Sequence, residues 1–306
     1  EFAVPSLEAL LRAGDSDDHV VGVVTQPDRP KGRGQVLTPP PVKVIADQAG
    51  IPVVQPLKIR TPDFLERLAS WKPDVIVVAA FGRILHAPIL NLPPLGCVNV
   101  HGSLLPKYRG AAPIQWALIN GETETGITTM LMDEGMDTGP ILLQEKIPIL
   151  PDDTTSTLAP RLAKLGGELL VQTIAGLKAS TIRPVPQDHS QATMAPLLKK
   201  EDGEIHWTMS ATALVNRIRG LTPWPGAYTF HGADRWMIWK AVAVQEPATG
   251  QPGTVLAVTK QSIKVATGEG VLELLELQTA NSKRMTVGQY LAGHRLSVGE
   301  RLGGGA

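Results

Sequence analysis

The sequence predicts an α/β fold: a doubly wound, mostly parallel, Rossmann-like sheet domain followed by a smaller C-terminal β-barrel (OB-like) domain. Three observations support this prediction. Apolar β-branched runs alternate with segments of helical period over the first two-thirds of the 306 residues. The periodicity then fades into a stretch containing Pro, Gln and Thr. Short strand-like runs with brief polar turns follow. We therefore expect a first domain at residues 1–180, a linker at 181–202 and a second domain at 203–306.

The elements of the first domain follow from these runs in order. Glu1 to Leu11 has the pattern of a helix, and because a doubly wound sheet normally begins with a strand, we expect a first strand that is missing before Glu1. Strands are then predicted at 19–25, 51–54, 74–80, 96–100, 125–132 and 141–148. A closing helix is predicted from apolar residues that share one helical face, Leu162, Leu165, Leu169, Ile174 and Leu177.

The second domain is predicted from shorter runs. A helix is expected at 211–219, and strands at 236–244, 253–259, 262–266 and 271–277. Four tryptophans in this part have two interpretations, an RNA-stacking surface or core packing, and their spacing favours packing: Trp207, Trp224, Trp236 and Trp239.

Composition narrows the function classes. Hydrophobic residues make up 43% and charged residues 19%, which is typical of a globular protein and excludes a disordered or fibrous one. The 29 basic and 29 acidic residues balance, so net charge gives no sign of a nucleic-acid partner. The lone Cys97 favours a reducing, cytoplasmic setting and is interpreted as a buried thiol. One cysteine and widely spaced histidines do not predict a metal site.

Residues suited to acyl transfer follow two of the predicted strands. Asn99 and His101 alternate at the end of one strand, so both side chains point to the same face, where ligands bind in open α/β sheets. Asp137 lies on a glycine-bounded turn after another strand. Amide and imidazolium donors stabilise the oxyanion that forms when an amine attacks a formyl carbon, and a carboxylate orients the imidazole. Spacing alone leaves open an alternative in which all three residues are structural.

The string from Asn99 to Gly110 resembles the signature of the folate-dependent formyltransferases. The resemblance implies that Asn99, His101 and Asp137 are catalytic and that the formyl donor is 10-formyltetrahydrofolate. It also implies a tetrahydrofolate site lined by Ser103, Leu104, Leu105 and Pro106. Phe81 and Gly82 follow the 74–80 strand. Because ligands bind at the carboxyl ends of strands in open α/β sheets, these two residues are candidates for the border of that site, with ordinary loop packing as the alternative.

Residues 25–34 resemble the loop that tRNA-formylating members of this family insert toward the acceptor end of tRNA. Arg29, Lys31 and Arg33 would supply phosphate or base-edge contacts; the alternative is a solvated basic turn. Segments 110–115, 198–207 and 221–226 extend the resemblance over nearly the whole chain. It implies formylation of methionyl-initiator tRNA by a monomer without a membrane or an obligate protein partner. The alternatives are formylation of another amine, hydrolysis of the formyl donor, and noncatalytic RNA binding.

Overall fold

The computed structural model describes residues 1–13, 18–32 and 34–304. The chain divides into two units. The first comprises Glu1–Pro113, Glu124–Pro148 and Ala159–Pro196, and the second comprises Ile114–Thr123, Ile149–Leu158 and Leu197–Ala306. The described helices are α1 Val4–Ala13, α2 Pro41–Gln48, α3 Pro62–Ser70, α4 Ala87–Leu90, α5 Pro113–Ile119, α6 Thr155–Lys178, α7 Ala211–Leu221 and α8 Val287–Leu291. None of these described helices combines the length and the apolar character that crossing a bilayer requires.

The strands of the first unit are β1 Val23–Val24, β2 Arg29–Lys31, β3 Val36–Thr38, β4 Val53–Val54, β5 Ile76–Val78, β6 Cys97–His101, β7 Glu124–Leu131 and β8 Ile141–Pro148. Parallel pairing joins β1 to β4 and β5 to β6. Antiparallel pairing joins β6 to β7 and β7 to β8. The α/β prediction is confirmed, but "mostly parallel" is wrong for the second half of this unit. The link between β7 and β8, residues 132–140, is shorter than the dozen or so residues that a parallel crossover needs.

Strand β6 is an interior strand of the four-stranded sheet β5-β6-β7-β8 in the first unit. All five of its residues are buried, and Cys97 belongs to an apolar cluster with Phe64, Leu68 and Ile89. The long helix α6 confirms the predicted closing helix, and Leu162 and Leu169 on its predicted face are buried. A buried central strand positions the side chains at its carboxyl end with little freedom, because close-packed neighbours restrict movement on both faces.

The second unit contains an antiparallel sheet, and four of its strands lie at the runs that the sequence predicts. Its strands are β9 Ala227–His231, β10 Asp234–Val244, β11 Val255–Val258, β12 Ile263–Ala266, β13 Val271–Thr279 and β14 Met285–Thr286. They pair in the order β11-β12-β13-β10-β9, with β14 on β13. The sequence prediction omitted β9, which follows a Pro-rich segment at 223–225, and the two-residue β14.

The sheet of the second unit is not closed by pairing between its outer strands. Among the described residues, β9 and β11 have no pairing with each other. Residues 300–303 lie between the two edges instead. Val255 N donates to Glu300 O at 2.8 Å, Leu302 N to Gly253 O at 2.8 Å and Gly303 N to Phe230 O at 2.8 Å. The predicted β-barrel is therefore not a closed ring of paired strands among the described residues: these hydrogen bonds come from a bridging segment that belongs to none of the six strands.

Candidate active site

The end of β6 brings Asn99 and His101 next to Asp137, although Asp137 is distant in sequence. Asn99 and His101 are 8% and 5% exposed. Asn99 Nδ2 donates to Asp137 Oδ1 at 3.3 Å, and His101 Nδ1 lies 3.7 Å from Asp137 Oδ2. The three side chains that the sequence singled out therefore form one cluster, with the carboxylate between the amide and the imidazole.

The carboxylate of Asp137 is held by an unusual turn. Asp137 has a φ of +51°, in the left-handed region, which costs a non-glycine residue about 1–2 kcal/mol. Its Oδ2 accepts a hydrogen bond from Gly110 N at 2.8 Å. Earlier in the turn, Asp133 Oδ1 accepts from Gly135 N at 3.0 Å and from Thr138 Oγ1 at 2.6 Å. These contacts keep the Asp137 side chain 16% exposed and directed at the end of β6.

One ring nitrogen of His101 is committed to the backbone. Nε2 lies 2.9 Å from Tyr108 O. Because a carbonyl oxygen only accepts, Nε2 must carry the hydrogen of this bond. Nδ1 is the ring nitrogen that faces Asp137, whose Oδ2 lies 3.7 Å away.

The loop after β6 is fixed by hydrogen bonds to the neighbouring strands. Thr128 Oγ1 donates to Ser103 O at 2.7 Å and accepts from Leu105 N at 3.0 Å, while Gln144 Nε2 donates to Leu105 O at 2.8 Å. The side chains of Ser103 and Leu105 are buried, whereas Leu104 and Pro106 are half-buried. Within the predicted folate loop, only Leu104 and Pro106 therefore present side-chain surface to a ligand.

An open cavity of about 730 Å³ is lined by other residues that the sequence singled out. Arg29 and Lys31 line it from the hairpin of β2 and β3, and Phe81 and Gly82 line it from the loop after β5. Gln26 Nε2 donates to Phe81 O at 3.0 Å across this cavity wall. The structure thus places the predicted folate-border residues beside the predicted tRNA-binding residues. Arg33 lies outside the described residues.

The basic hairpin has an anchored base. Lys43 Nζ donates to Asp28 Oδ2 at 3.1 Å, and Gln55 Nε2 donates to Asp28 Oδ1 at 2.6 Å. The hydrogen bonds from Gln55 and Lys43 lower the pKa of Asp28. Arg29 and Lys31 follow directly and are exposed. The hairpin therefore presents its cationic side chains from a fixed point of attachment.

The stretch predicted as the start of the linker has extensive contacts with the loop after β6. Arg109 N donates to Thr193 O at 2.9 Å, and Ala195 N donates to Arg109 O at 2.7 Å. Gln187 Nε2 donates to Asp137 O at 2.9 Å and to Gly139 O at 2.7 Å. Neither Gln187 nor a role for Arg109 was predicted from the sequence. No local pattern marks them, because their contacts join residues 48 to 86 positions apart.

The tryptophans of the second unit support the packing interpretation for two of the four. Trp207 is 6% exposed and Trp236 is fully buried. Trp224 is 50% exposed, and the Arg284 guanidinium lies 5.2 Å from the ring centre of the half-buried Trp239. Packing is therefore confirmed for Trp207 and Trp236.

The chemistry available at the end of β6 is limited and specific. It consists of an amide donor, an imidazole and a partly exposed carboxylate that lie next to each other. Such a set stabilises an oxyanion and transfers a proton between two nitrogens. No group of three His, Cys, Asp or Glu side chains suited to a metal ion occurs in the part of the chain that the structure describes.

Comparison with known proteins supplies the context for this chemistry. A family profile described as formyl transferase matches residues 4–174, and one described as the formyl transferase C-terminal domain matches residues 197–295. Methionyl-tRNA formyltransferase of Desulfotalea psychrophila is 55% identical over 97% of this chain and 91% of that protein. Methionyl-tRNA formyltransferase of Trichlorobacter lovleyi is 53% identical over 99% and 94%.

Solved structures share the fold at lower identity. A sugar 3N-formyl transferase, WlaRD, has a TM-score of 0.67 at 19% identity and covers 92% of this chain and 96% of its own. An N-formyltransferase from Helicobacter canadensis has a TM-score of 0.66 at 19% identity and covers 93% and 96%.

Proposed function

The chain belongs to the formyl transferase family, and we infer that it transfers the formyl group of 10-formyltetrahydrofolate to the free amino group of methionyl-initiator tRNA. The product, N-formylmethionyl-tRNA, serves translation initiation, so cytoplasmic localisation is part of this proposal. The observation that carries it is identity of 53–55% to methionyl-tRNA formyltransferases over nearly the whole of both chains.

We assign catalysis to Asn99, His101 and Asp137. The amine nitrogen attacks the formyl carbon, a C–N bond forms, and the carbonyl oxygen becomes an oxyanion. The bond from that carbon to N10 of the folate then breaks, the amine loses one proton, and N10 gains one. The Asn99 amide and the protonated His101 are the donors to the oxyanion, and aimed donors of this kind stabilise it by several kcal/mol.

The proton transfer is assigned to one nitrogen of His101. Its Nε2 hydrogen is donated to Tyr108 O at 2.9 Å, so Nδ1 is the nitrogen that gives its proton to N10 and then takes the proton that the amine loses. Asp137 Oδ2 lies 3.7 Å from Nδ1, beside the ring that donates to the oxyanion. Because Asp137 also accepts from Asn99 Nδ2, it orients both donors relative to each other.

The formyl donor is assigned to the loop from Ser103 to Pro106, together with Phe81 and Gly82. The hydrogen-bonded loop is preformed, which reduces the entropy lost when a ligand binds. Leu104 and Pro106 offer apolar surface for a flat heterocycle. The main-chain groups of Ser103 and Leu105 fix the loop through their hydrogen bonds to Thr128 and Gln144.

The tRNA is assigned to the basic hairpin with Arg29, Lys31 and Arg33, and to a C-terminal domain at residues 203–306. A balanced net charge is compatible with this assignment, because counterion release depends on the few cations that touch phosphates. We further propose that the protein acts as a monomer without an obligate protein partner.

The test is formylation by the purified protein with 10-formyltetrahydrofolate and three acceptors: methionyl-initiator tRNA, glycinamide ribonucleotide and a nucleotide-linked amino sugar. Transfer to the tRNA alone is expected. Preferential transfer to either small amine, or release of formate without an acceptor, would contradict the assignment.

Substitution of His101 by Ala distinguishes an enzyme from a noncatalytic RNA-binding protein. Turnover should fall by about a hundredfold or more while tRNA affinity stays unchanged. His19→Ala, at an exposed histidine, is the matched control and should retain activity. Equal loss of tRNA binding and turnover in His101→Ala would argue against the catalytic role.

A further inference from the structure

Gln187 forms a buried polar link between two segments of the candidate active site. It is 6% exposed, as is Arg109. Its Nε2 donates to Asp137 O at 2.9 Å and to Gly139 O at 2.7 Å. Its Oε1 accepts from Arg109 Nε at 3.1 Å and from Arg109 Nη2 at 2.6 Å. Both ends of one amide are therefore used, one for the Asp137 turn and the other for the loop after β6.

The contacts close a ring around Asp137. From the Asp137 carbonyl the ring passes through the Gln187 amide to the Arg109 side chain. It continues along the backbone to Gly110, whose N–H donates to Asp137 Oδ2 at 2.8 Å. The ring thus fixes both the main chain and the carboxylate of the same residue. A shift of the Asp137 turn relative to the loop after β6 would break several of these bonds together.

The far side of Arg109 is also fixed. Its Nη2 lies 3.0 Å from His189 Nδ1. Because a guanidinium only donates, His189 Nδ1 must accept this bond and carries no hydrogen. The Arg109 main chain is held as well, between Thr193 O and Ala195 N. Arg109 is therefore a rigid support to which Gln187 is attached.

The Asp137 turn needs such a support. Its φ of +51° is a conformation that a side-chain-bearing residue rarely adopts without external contacts. Gln187 contacts the carbonyls of Asp137 and Gly139, the two that flank the end of this turn. Relaxation of the turn would rotate the Asp137 carboxylate away from His101 Nδ1, now 3.7 Å away.

We propose that Gln187 and Arg109 are positioning residues for formyl transfer, which act by holding Asp137 against His101 and Asn99. This inference rests on the catalytic roles assigned above. Neither residue is assigned a contact with a substrate. Their loss should therefore lower kcat and leave tRNA affinity and the KM for the formyl donor nearly unchanged.

Two variants separate positioning from folding. Gln187→Leu removes all four hydrogen bonds. Gln187→Glu keeps the oxygen that accepts from Arg109, so this contact still stabilises the fold. The Nε2 donor becomes a second oxygen, which cannot donate to the carbonyls of Asp137 and Gly139, so the hydrogen bonds that hold the turn are lost. Both should lower kcat by about 10- to 100-fold, since a displacement of about 1 Å at a reacting group has effects of this size. Gln191→Leu, at an exposed glutamine of the same segment, is the matched control.

A double-mutant cycle provides the readout that a merely structural role would not produce. In an Asp137→Asn background, Gln187→Glu should lower kcat by less than about threefold, because the group that Gln187 positions has already lost its function. A full additive loss in that background would overturn the proposal, and so would wild-type kcat in Gln187→Glu. Failure of the wild-type protein to formylate tRNA would instead contradict the proposed function itself.

Discussion

Replacing Asp137 by Asn removes one negative charge from the candidate active site. Asn is nearly isosteric, and its side-chain oxygen can still accept from Gly110 N, now at 2.8 Å from Oδ2. The substitution removes the hydrogen bond from Asn99 Nδ2 to Oδ1, because the amide nitrogen of Asn would face that donor, and it removes the attraction between the carboxylate and the protonated His101, whose Nδ1 lies 3.7 Å away. With an effective dielectric constant of about 20, Coulomb's law gives about 4 kcal/mol at that separation.

That energy corresponds to about a thousandfold lower kcat, since each 1.4 kcal/mol or so of barrier is a factor of ten. The Asp137 side chain is 16% exposed, which allows some solvent screening, so we expect kcat to decrease between about a hundredfold and a thousandfold. The measurement is single-turnover formylation of methionyl-initiator tRNA at saturating formyl donor. Glu134→Gln, at an exposed carboxylate of the same turn, is the control. A decrease of less than about tenfold in Asp137→Asn would refute the electrostatic argument.

Four further predictions concern pH, packing, thiol reactivity and salt. The rate of formylation should fall as the pH is lowered below about 8, because the attacking amine must be neutral and α-amino groups titrate near that pH; a flat profile on the acidic side would contradict this. Gly139→Ala should lower the free energy of unfolding by about 1–3 kcal/mol in denaturant titrations and also reduce kcat, because an added Cβ would lie 1.8 Å from Leu131 O. Burial raises the pKa of Cys97 to about 12, so iodoacetamide should label this thiol at about pH 8 only after unfolding; labelling of the native protein would count against it. Arg29→Ala and Lys31→Ala should each reduce the slope of log tRNA affinity against log salt by about one, and an unchanged slope would exclude phosphate contacts.

Local signals in the sequence were sufficient for the elements that depend on local periodicity. The apolar face of α6 and the alternation of Asn99 and His101 at the end of β6 follow from side-chain geometry within a single element. The predicted parallel direction was wrong for β7 and β8, because apolar runs indicate the length and burial of a strand but do not specify its partner.

Contacts between distant segments account for what the sequence did not predict. Gln187 lies in a stretch without periodicity, and its importance depends on Arg109 and Asp137, which no spacing rule connects to it. The location of Phe81 and Gly82 beside the basic hairpin likewise depends on how two loops approach each other. Neither arrangement leaves a pattern in the residues that form it.

The bridging segment at residues 300–303 has a consequence for biosynthesis. The ribosome makes β9 and β11 well before this segment, so the outer edges of both strands remain unprotected while the intervening chain emerges. Unprotected strand edges readily pair with other chains. Nascent chains stalled before Glu300 should therefore self-associate more readily than chains whose Leu302 and Gly303 have already left the ribosome. A chaperone acting on this protein would be needed most during that interval.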